Sequence, residues 1–440
     1  MDNFFSEKEI KKSKSNGVVG IFVFLFLVVG GLLFYLSRYS TSNDEKKELI
    51  NSIMSYDNSY SYDFLDYIYN EYGYKVITSI NDEYVNNTYD YNKWHSFTGN
   101  TLKVLYDNYN DVYKDNDRIK IIDKKGDITL SFVGDVSLAD NFDIMPYYDE
   151  RNIGIEGILS KEVIDIMKNS DIMVANNEFT ISNRGTPLDK LYTFRASPER
   201  LNIYKEMGVN LVSTANNHIY DYGEESFLDT LKYLKEYDIP NVGAGTNIDE
   251  AKAAFYYIVN GYKIAFISST RAEKNIKTPG ATSNTGGTFR CYDNTLLKET
   301  IKEEKEKADY VVLLIHWGRE DSHELEDIMI STSKEYIDSG ADLIVGSHAH
   351  YLQGMNFYKD KLIAYNLGDF IFNRETKDTG ILSVKIDNDG KMSYYFIPCK
   401  QDNYKTSMLN GDDRLRVIND MNTYSLNAII KNDGSINIKS

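Results

Sequence analysis

From Asp127 onward the chain alternates short apolar runs with amphipathic stretches, and this alternation limits the possible folds more than any other feature. ITLSFVGDV (128–136) reads as a buried strand, SKEVIDIMKNSD as a helix with apolar residues at three- and four-residue spacing, and IMVANNEF as a second strand. The pattern continues through PERLNIYKEMG, VNLVSTANNH, EESFLDTLKYLKEYD, TLLKETIKEEKEKA, DYVVLLIHWG, DIMISTSKEYIDSG, DLIVGSHAH and KLIAYNLGDFIF. AFYYIV and YKIAFISS flank Asn260-Gly261 and read as a hairpin. Strands and helices in this order predict an α/β layered fold, because each element has an apolar face that only another layer can bury.

The flanking segments have a different texture. Residues 17–36, GVVGIFVFLFLVVGGLLFYL, carry no charge, and about 20 such residues span the hydrocarbon core of a bilayer. Lys8, Lys11, Lys12 and Lys14 precede this stretch, whereas Arg38 is the only basic residue after it before Lys46. The positive-inside rule therefore predicts a cytoplasmic tail at 1–16, a transmembrane anchor at 17–36, and an extracellular remainder. A cleaved signal peptide is the alternative, although the apolar stretch is long for one and no small-x-small site follows it cleanly. Residues 41–126 are rich in Tyr, Asn and Asp with weak periodicity, which predicts a partly helical stalk or a small packed appendage. The main domain is expected over 127–400, with a C-terminal extension at 401–440.

The net charge of −17 argues against nucleic acid as a partner, since phosphate backbones are met by Lys/Arg surfaces. Cys291 and Cys399 lie far apart in sequence and make no disulfide scaffold; they read as free core thiols, with pairing in an oxidising exterior as the alternative.

Five predicted strands end in residues of metal-ligating or acid/base type. Asp135 follows LSFVG; Asn176, Asn177 and Glu178 follow IMVA; Asn216, Asn217 and His218 follow LVSTA; His316 follows VVLLI; His348 and His350 follow LIVGS. In α/β sheets ligands bind beyond the carboxyl ends of strands, so these residues are expected to converge. The spacing of His348 and His350 puts both imidazoles on one side of an extended segment, a common metal-binding arrangement. Carboxylate, carboxamide and imidazole without thiolate suit Mn²⁺, Fe or Zn²⁺. The set is larger than one tetrahedral ion needs, and a pair of ions bridged by a carboxylate would use it fully.

FVGDVSL, ANNEFTIS, STANNHIYDYG, IHWGRE, VGSHAHYLQG and YNLGDFIF, taken in that order, resemble the CapA family of poly-γ-glutamate capsule synthesis proteins, within the calcineurin-like metallophosphoesterase superfamily. The resemblance implies a layered sandwich of two mixed sheets flanked by helices. It also implies one or two divalent ions, with Glu178 as the bridging carboxylate, Asn217, His316 and His348 on one ion, and Asp135 and His350 on the other. His218 is then free to bind substrate or protonate a leaving group, with Asp221 orienting it. Asp221 has a second reading as the N-cap of the helix that GEESF begins.

Ser137 stands where the superfamily's D-x-H motif has histidine, an absence general in this family. Within the family pattern, Asn177-Glu178 stands in place of an Asn-Leu-Glu style segment, Ala349 where the family often has proline, and Asp369 where it often has asparagine. The resemblance implies a membrane-anchored, extracellular component of capsule synthesis, export or anchoring. Its partners would be an anionic polymer such as poly-γ-glutamate and the membrane subunits of a capsule synthase. An active metal-dependent hydrolase or phosphoesterase is the alternative. His323 and His95 lie in polar surroundings and are expected at the surface.

Overall fold

The computed structural model describes residues 45–106, 109, 118–122, 124, 126–260, 262–272 and 277–439. The apolar stretch at 17–36 and the topology expected of it lie outside the described residues. Among the described residues no helix is long and apolar enough to cross a membrane.

The chain divides into two compact units, residues 1–115 and 116–440. The described part of the first is helical, with helices over 45–56, Tyr62–Tyr72, Tyr74–Val85 and Lys93–Thr98. Ser61 starts the second by accepting a hydrogen bond from the Phe64 amide, the usual service of a serine N-cap. Gly73, at φ +86°, links the second helix to the third with a backbone that side-chain-bearing residues rarely adopt. The apolar periodicity is weak because tyrosine rings share the core with aliphatic residues. Ile50, Ile53, Phe64, Leu65, Ile77, Ile80 and Trp94 are fully buried. The Trp94 indole N–H donates to the hydroxyls of Tyr60 at 3.1 Å and Tyr89 at 3.0 Å. Such aromatic residues bury large areas while keeping a polar tip satisfied.

The second unit is mixed α/β, built on two large mixed sheets. One runs in the order Ile119–Ile122, Phe255–Val259, Tyr262–Thr270, Tyr310–His316, Leu343–Ser347, Lys361–Leu367 and Leu352–Tyr358. The other runs Lys405–Met408, Met392–Asp402, Lys377–Ile386, Ile128–Val136, Ile172–Asn177, Leu211–Ser213 and Asn241–Val242, with Asp369–Ile371 paired to Ile128–Val136. The sheets face each other across one core: Phe132, Val174 and Leu382 of the second meet Phe266, Leu314 and Val345 of the first. Alternate residues on the same strands point outward and are covered by helices. Met173, Ala175 and Val212 pack with Val163 and Met167 of the helix Lys161–Lys168 and with Leu201 and Tyr204 of Leu201–Met207. On the far side Val311, Leu313 and Ile315 pack with Leu297 and Ile301 of Thr295–Lys305 and with Met329 and Tyr336 of Asp327–Asp338.

Residues past 400 belong to this same body. Lys405–Met408 adds an edge strand, and Val417, Ile418 and Met421 of the helix Gly411–Tyr424 join the inter-sheet core. Cys291 and Cys399 are buried, free thiols.

The parallel strands position the site. Asp135 pairs in register with Asn176, and Asn176 with Ser213, in one sheet. Thr270 pairs with His316, and His316 with Ser347, in the other. Each sheet therefore delivers its polar strand ends side by side.

Candidate metal centre

Two glycines allow the backbone approaches on which the centre depends. A Cβ on Gly134 would lie 2.0 Å from the Gly368 carbonyl oxygen, and one on Gly346 would lie 1.8 Å from that of Tyr365. Only a bare Cα fits at either point. The first approach lets the Asp135 amide donate to the Gly368 carbonyl at 3.0 Å, which brings the Asp369 strand alongside Asp135.

His316, at the end of its strand, is fully buried. Its Nδ1 lies 2.9 Å from the Ser347 hydroxyl and 3.3 Å from Asn176 Nδ2, while its Nε2 lies 2.8 Å from Asn217 Oδ1. His348 and His350 are not on an extended segment as expected from their spacing. Both adopt left-handed backbone, at φ +99° and +58°, in the turn that follows Leu343–Ser347. Left-handed backbone is uncommon outside glycine and persists where surrounding contacts hold it. Here the His348 amide donates to Asp135, 3.2 Å from each carboxylate oxygen. The turn sends the two imidazoles to different partners. His350 Nδ1 sits 2.8 Å from Asp369 Oδ1 and 3.4 Å from Asp135 Oδ2.

Glu178 occupies the middle, fully buried. Its Oε2 accepts from Asn176 Nδ2 at 3.2 Å, but its Oε1 has no hydrogen-bond partner. That oxygen lies 3.7 Å from His316 Nε2, 3.9 Å from His350 Nε2 and 4.0 Å from His218 Nε2. Two groups of ligand atoms, each gathered within 4.8 Å, meet at this residue: Glu178, His316 and His348 form one, and Asp135, Glu178 and His350 the other.

The electrostatics follow from burial among like and unlike charges. Burial, reinforced by the Asp135 carboxylate, pushes the Glu178 carboxyl well above its ordinary range. Burial acts the same way on Asp135, but its hydrogen bond and charge contact with His350 prevail and hold it low. Burial and the neighbouring His350 push His348 down to about 3, and burial with His348 pushes His316 well below its usual value. Burial opposes charge on His350 too, yet Asp369 and Glu178 outweigh it and raise this imidazole.

These residues fit a divalent cation. Glu178 Oε1 and His348 Nδ1 are buried polar atoms without a partner, and leaving such an atom unmet costs about 1–3 kcal/mol. The donors are nitrogen and oxygen only, the set that suits Mn²⁺, Fe and Zn²⁺.

His218 and Asp221 form a dyad at the edge of the centre. Asp221 Oδ2 lies 2.6 Å from His218 Nδ1 and also accepts from the Phe194 amide at 2.8 Å, while Oδ1 accepts from Lys190 Nζ at 2.8 Å. The N-cap reading of Asp221 does not hold: the helix Gly223–Glu236 is preceded by Tyr222 and has no side-chain cap. The side chain turns inward because a buried imidazole and a nearly buried ammonium lie there. His218 also packs on Phe194, with ring centroids 4.5 Å apart. Asp135, Glu178, Asn217, His218, Asp221, His316, His348 and His350 thus share one neighbourhood.

Several participants were not legible beforehand. Asn176 stands among the strand-end residues but had no expected role, yet its amide reaches Asp135, Glu178 and His316. Asp369 stands out in the sequence only as a departure from the family pattern. Lys377, whose Nζ lies 2.9 Å from Asp369 Oδ2, carries no local signal, since a buried lysine looks like any other in sequence. Ser137 is buried with an unpartnered hydroxyl. His323 is half-buried rather than exposed, because its Nδ1 meets the Leu352 carbonyl at 2.7 Å and its ring stacks on Tyr424.

Residues 129–374 match the family model described as "Bacterial capsule synthesis protein PGA_cap". The chain belongs to this family. It is 31% identical over 282 residues to the capsule biosynthesis protein CapA of Bacillus anthracis, covering 62% of this chain and 67% of that one. Against the PGA biosynthesis protein CapA of Bacillus subtilis it is 30% identical over 279 residues, covering 62% and 71%. A probable polyglutamine synthesis accessory protein of Mycobacterium tuberculosis is 24% identical over 225 residues, covering 49% and 59%. The segment matched by the PGA_cap family model takes in every residue of the centre from Asp135 to Asp369. Lys377 and the helical unit before residue 116 fall outside it.

A cavity of about 370 Å³ opens over His218 and His350. This PGA_cap centre is therefore reachable from solvent on the dyad side.

Proposed function

We propose that this chain is a membrane-anchored, extracellular component of poly-γ-glutamate capsule synthesis, export or anchoring, and that it handles the polymer at a centre for one or two divalent ions. The observation that carries the metal reading is the unpartnered Oε1 of Glu178, which two potential ligand groups share. The polymer is proposed from the names of the relatives, CapA proteins of capsule and PGA biosynthesis. His316, His348, Glu178 and Asn217 would hold one ion, and Asp135, His350 and Glu178 the other. Bound divalent ions supply Lewis acidity and lower the pKa of coordinated water. They also give an acidic protein a local positive field that attracts carboxylates.

The chain's own residues set the rest of the chemistry. Asp369 orients His350 through Nδ1, and the Ser347 hydroxyl does the same for His316, so that each ring points its Nε2 inward. A second reading, metal-dependent hydrolysis of polymer, lipid or nucleotide substrate, is supported by the dyad. Asp221 fixes the His218 ring through Nδ1, which leaves Nε2 facing the centre to hold or deliver a proton.

The test uses the purified full chain. Elemental analysis should find one to two transition-metal equivalents, reduced by His348→Ala, and metal removal should abolish retention of poly-γ-glutamate. A metal-free chain that binds the polymer as well as the loaded one refutes the metal-centred reading. Shortening of the polymer by the unaltered chain but not by His218→Ala separates hydrolase from handler.

A further inference from the structure

The cleft over the centre is lined by side chains of two kinds. Phe142, Tyr192, Phe194 and Phe372 make an aromatic side, with Phe142 4.7 Å from Phe194 and Phe194 5.4 Å from Phe372 between ring centroids. The lining also carries four carboxylates, Asp143, Glu320, Asp321 and Glu375, against the cations Arg374 and Lys377. Both cations face carboxylates already. Arg374 Nε lies 3.8 Å from Asp143 Oδ2, and Lys377 Nζ lies 2.9 Å from Asp369 Oδ2, 3.1 Å from Glu375 Oε2 and 3.9 Å from Asp321 Oδ1. Glu320 and Asp321 are 54% and 72% exposed; Glu320 Oε1 lies 4.0 Å from His348 Nε2, and with four carboxylates to two cations the lining keeps an excess of negative charge. At the floor sit His218 and His350, with the unpartnered, fully buried Glu178 Oε1 within 4.0 Å of both Nε2 atoms.

A groove for the interior of a polyanion would be lined with Lys and Arg. This one repels a run of carboxylates everywhere except at the ligand groups on its floor. Aromatic rings and acidic side chains lining one cleft are instead the pairing that receives an ammonium, through ring faces and through charge. A γ-linked glutamyl chain offers an ammonium beside a carboxylate at one place only, its amino-terminal residue. Resting on the capsule-polymer reading above, we infer that the cleft accepts the amino-terminal end of a γ-linked glutamyl chain. The ammonium lies between the aromatic wall and the Glu320 and Asp321 carboxylates, and the adjoining carboxylate faces the metal centre. The site is then selective for chain ends and has no use for interior segments.

The test compares a γ-linked glutamate pentamer bearing a free amino terminus with the same pentamer N-acetylated. Each is titrated by calorimetry into the full chain supplied with Mn²⁺. The free-amine form should bind about tenfold more tightly, the sum expected of one cation–π contact and two part-exposed ion pairs. In a chain carrying Glu320→Gln and Asp321→Asn that preference should collapse, while metal content stays at the unaltered level and the acetylated pentamer binds as well as before or better. Equal binding of the two pentamers by the unaltered chain, a preference that survives the double substitution, or loss of metal from the double variant overturns the inference while leaving the capsule-polymer reading in place. Binding of neither pentamer overturns that reading and the inference with it.

Discussion

Replacing Glu178 by glutamine should reverse its effect on stability according to whether metal is present. In the metal-free fold a fully buried carboxyl group carries one oxygen with no partner and has Asp135 as a charged neighbour. Burial raises its folded pKa, so the unaltered chain takes up a proton at this site on folding. The stability that this provides is complete below the unfolded value of about 4.3 and is lost as pH rises. Glutamine keeps the shape without the charge. In EDTA at pH 7–8, Glu178→Gln should therefore stabilise the protein by about 1–2 kcal/mol, because the amide avoids the cost of burying or protonating a carboxylate beside Asp135. At roughly 2 °C per kcal/mol for a unit of this size, Tm rises by about 2–4 °C, and by less at pH 5. With Mn²⁺ at about 100 times its Kd, the unaltered chain gains about 2.7 kcal/mol by mass action, and the variant, lacking the shared carboxylate, should gain little. Differential scanning calorimetry of both proteins under both conditions gives four Tm values. A variant that melts lower than the unaltered chain in EDTA, or that keeps the full Mn²⁺-induced shift, refutes Glu178 as the shared ligand.

On the hydrolase reading, Asp221→Asn should leave metal content unchanged and slow polymer shortening by about a hundredfold, read from product sizes on a gel, because His218 loses the carboxylate that orients its ring. Gly346→Ala places a Cβ 1.8 Å from the Tyr365 carbonyl oxygen and should destabilise by about 3 kcal/mol in urea unfolding. A cost under about 0.5 kcal/mol would show that the strand relaxes freely. Lys377→Met leaves the buried Asp369 without its ammonium and should destabilise by about 3 kcal/mol. Adding Asp369→Asn should recover most of that loss, as measured by a double-mutant cycle.

The α/β layering and the strand-end ligands were legible because both rest on periodicity. Tyr310–His316 alternates Val311, Leu313 and Ile315 toward one layer with Val312 and Leu314 toward the other, so a short apolar run must be a strand covered on both faces. Once strands are parallel, their carboxyl ends share an edge, and residues as far apart as Asp135 and His348 can be expected to meet. Contacts made by backbone shape were not legible. Nothing in H-x-H spacing indicates that both histidines take positive φ, and nothing local to Asp221 distinguishes a helix cap from a carboxylate turned inward to an imidazole. The tyrosine-rich stretch before residue 110 carried too little periodicity to separate a stalk from a packed unit. Its core is aromatic, and tyrosine's polar tip blurs the hydrophobic pattern on which such a reading depends.

The residues around His350 explain how a departure from the family pattern is accommodated. Asparagine at position 369 could accept a hydrogen bond from His350 Nδ1 without adding charge. The aspartate found here makes the same contact at 2.8 Å but brings a fully buried negative charge close to Asp135. A third buried carboxylate beside Asp135 and Glu178 would be prohibitive without a cation of its own. Lys377 supplies one at 2.9 Å, its side chain only 6% exposed and held charged by Asp369 and Glu375 against the pull of burial. Asp369 and Lys377 are thus one charge-neutral pair at the Nδ1 edge of His350. On the metal-centre reading, the added carboxylate behind His350 makes that imidazole a stronger donor.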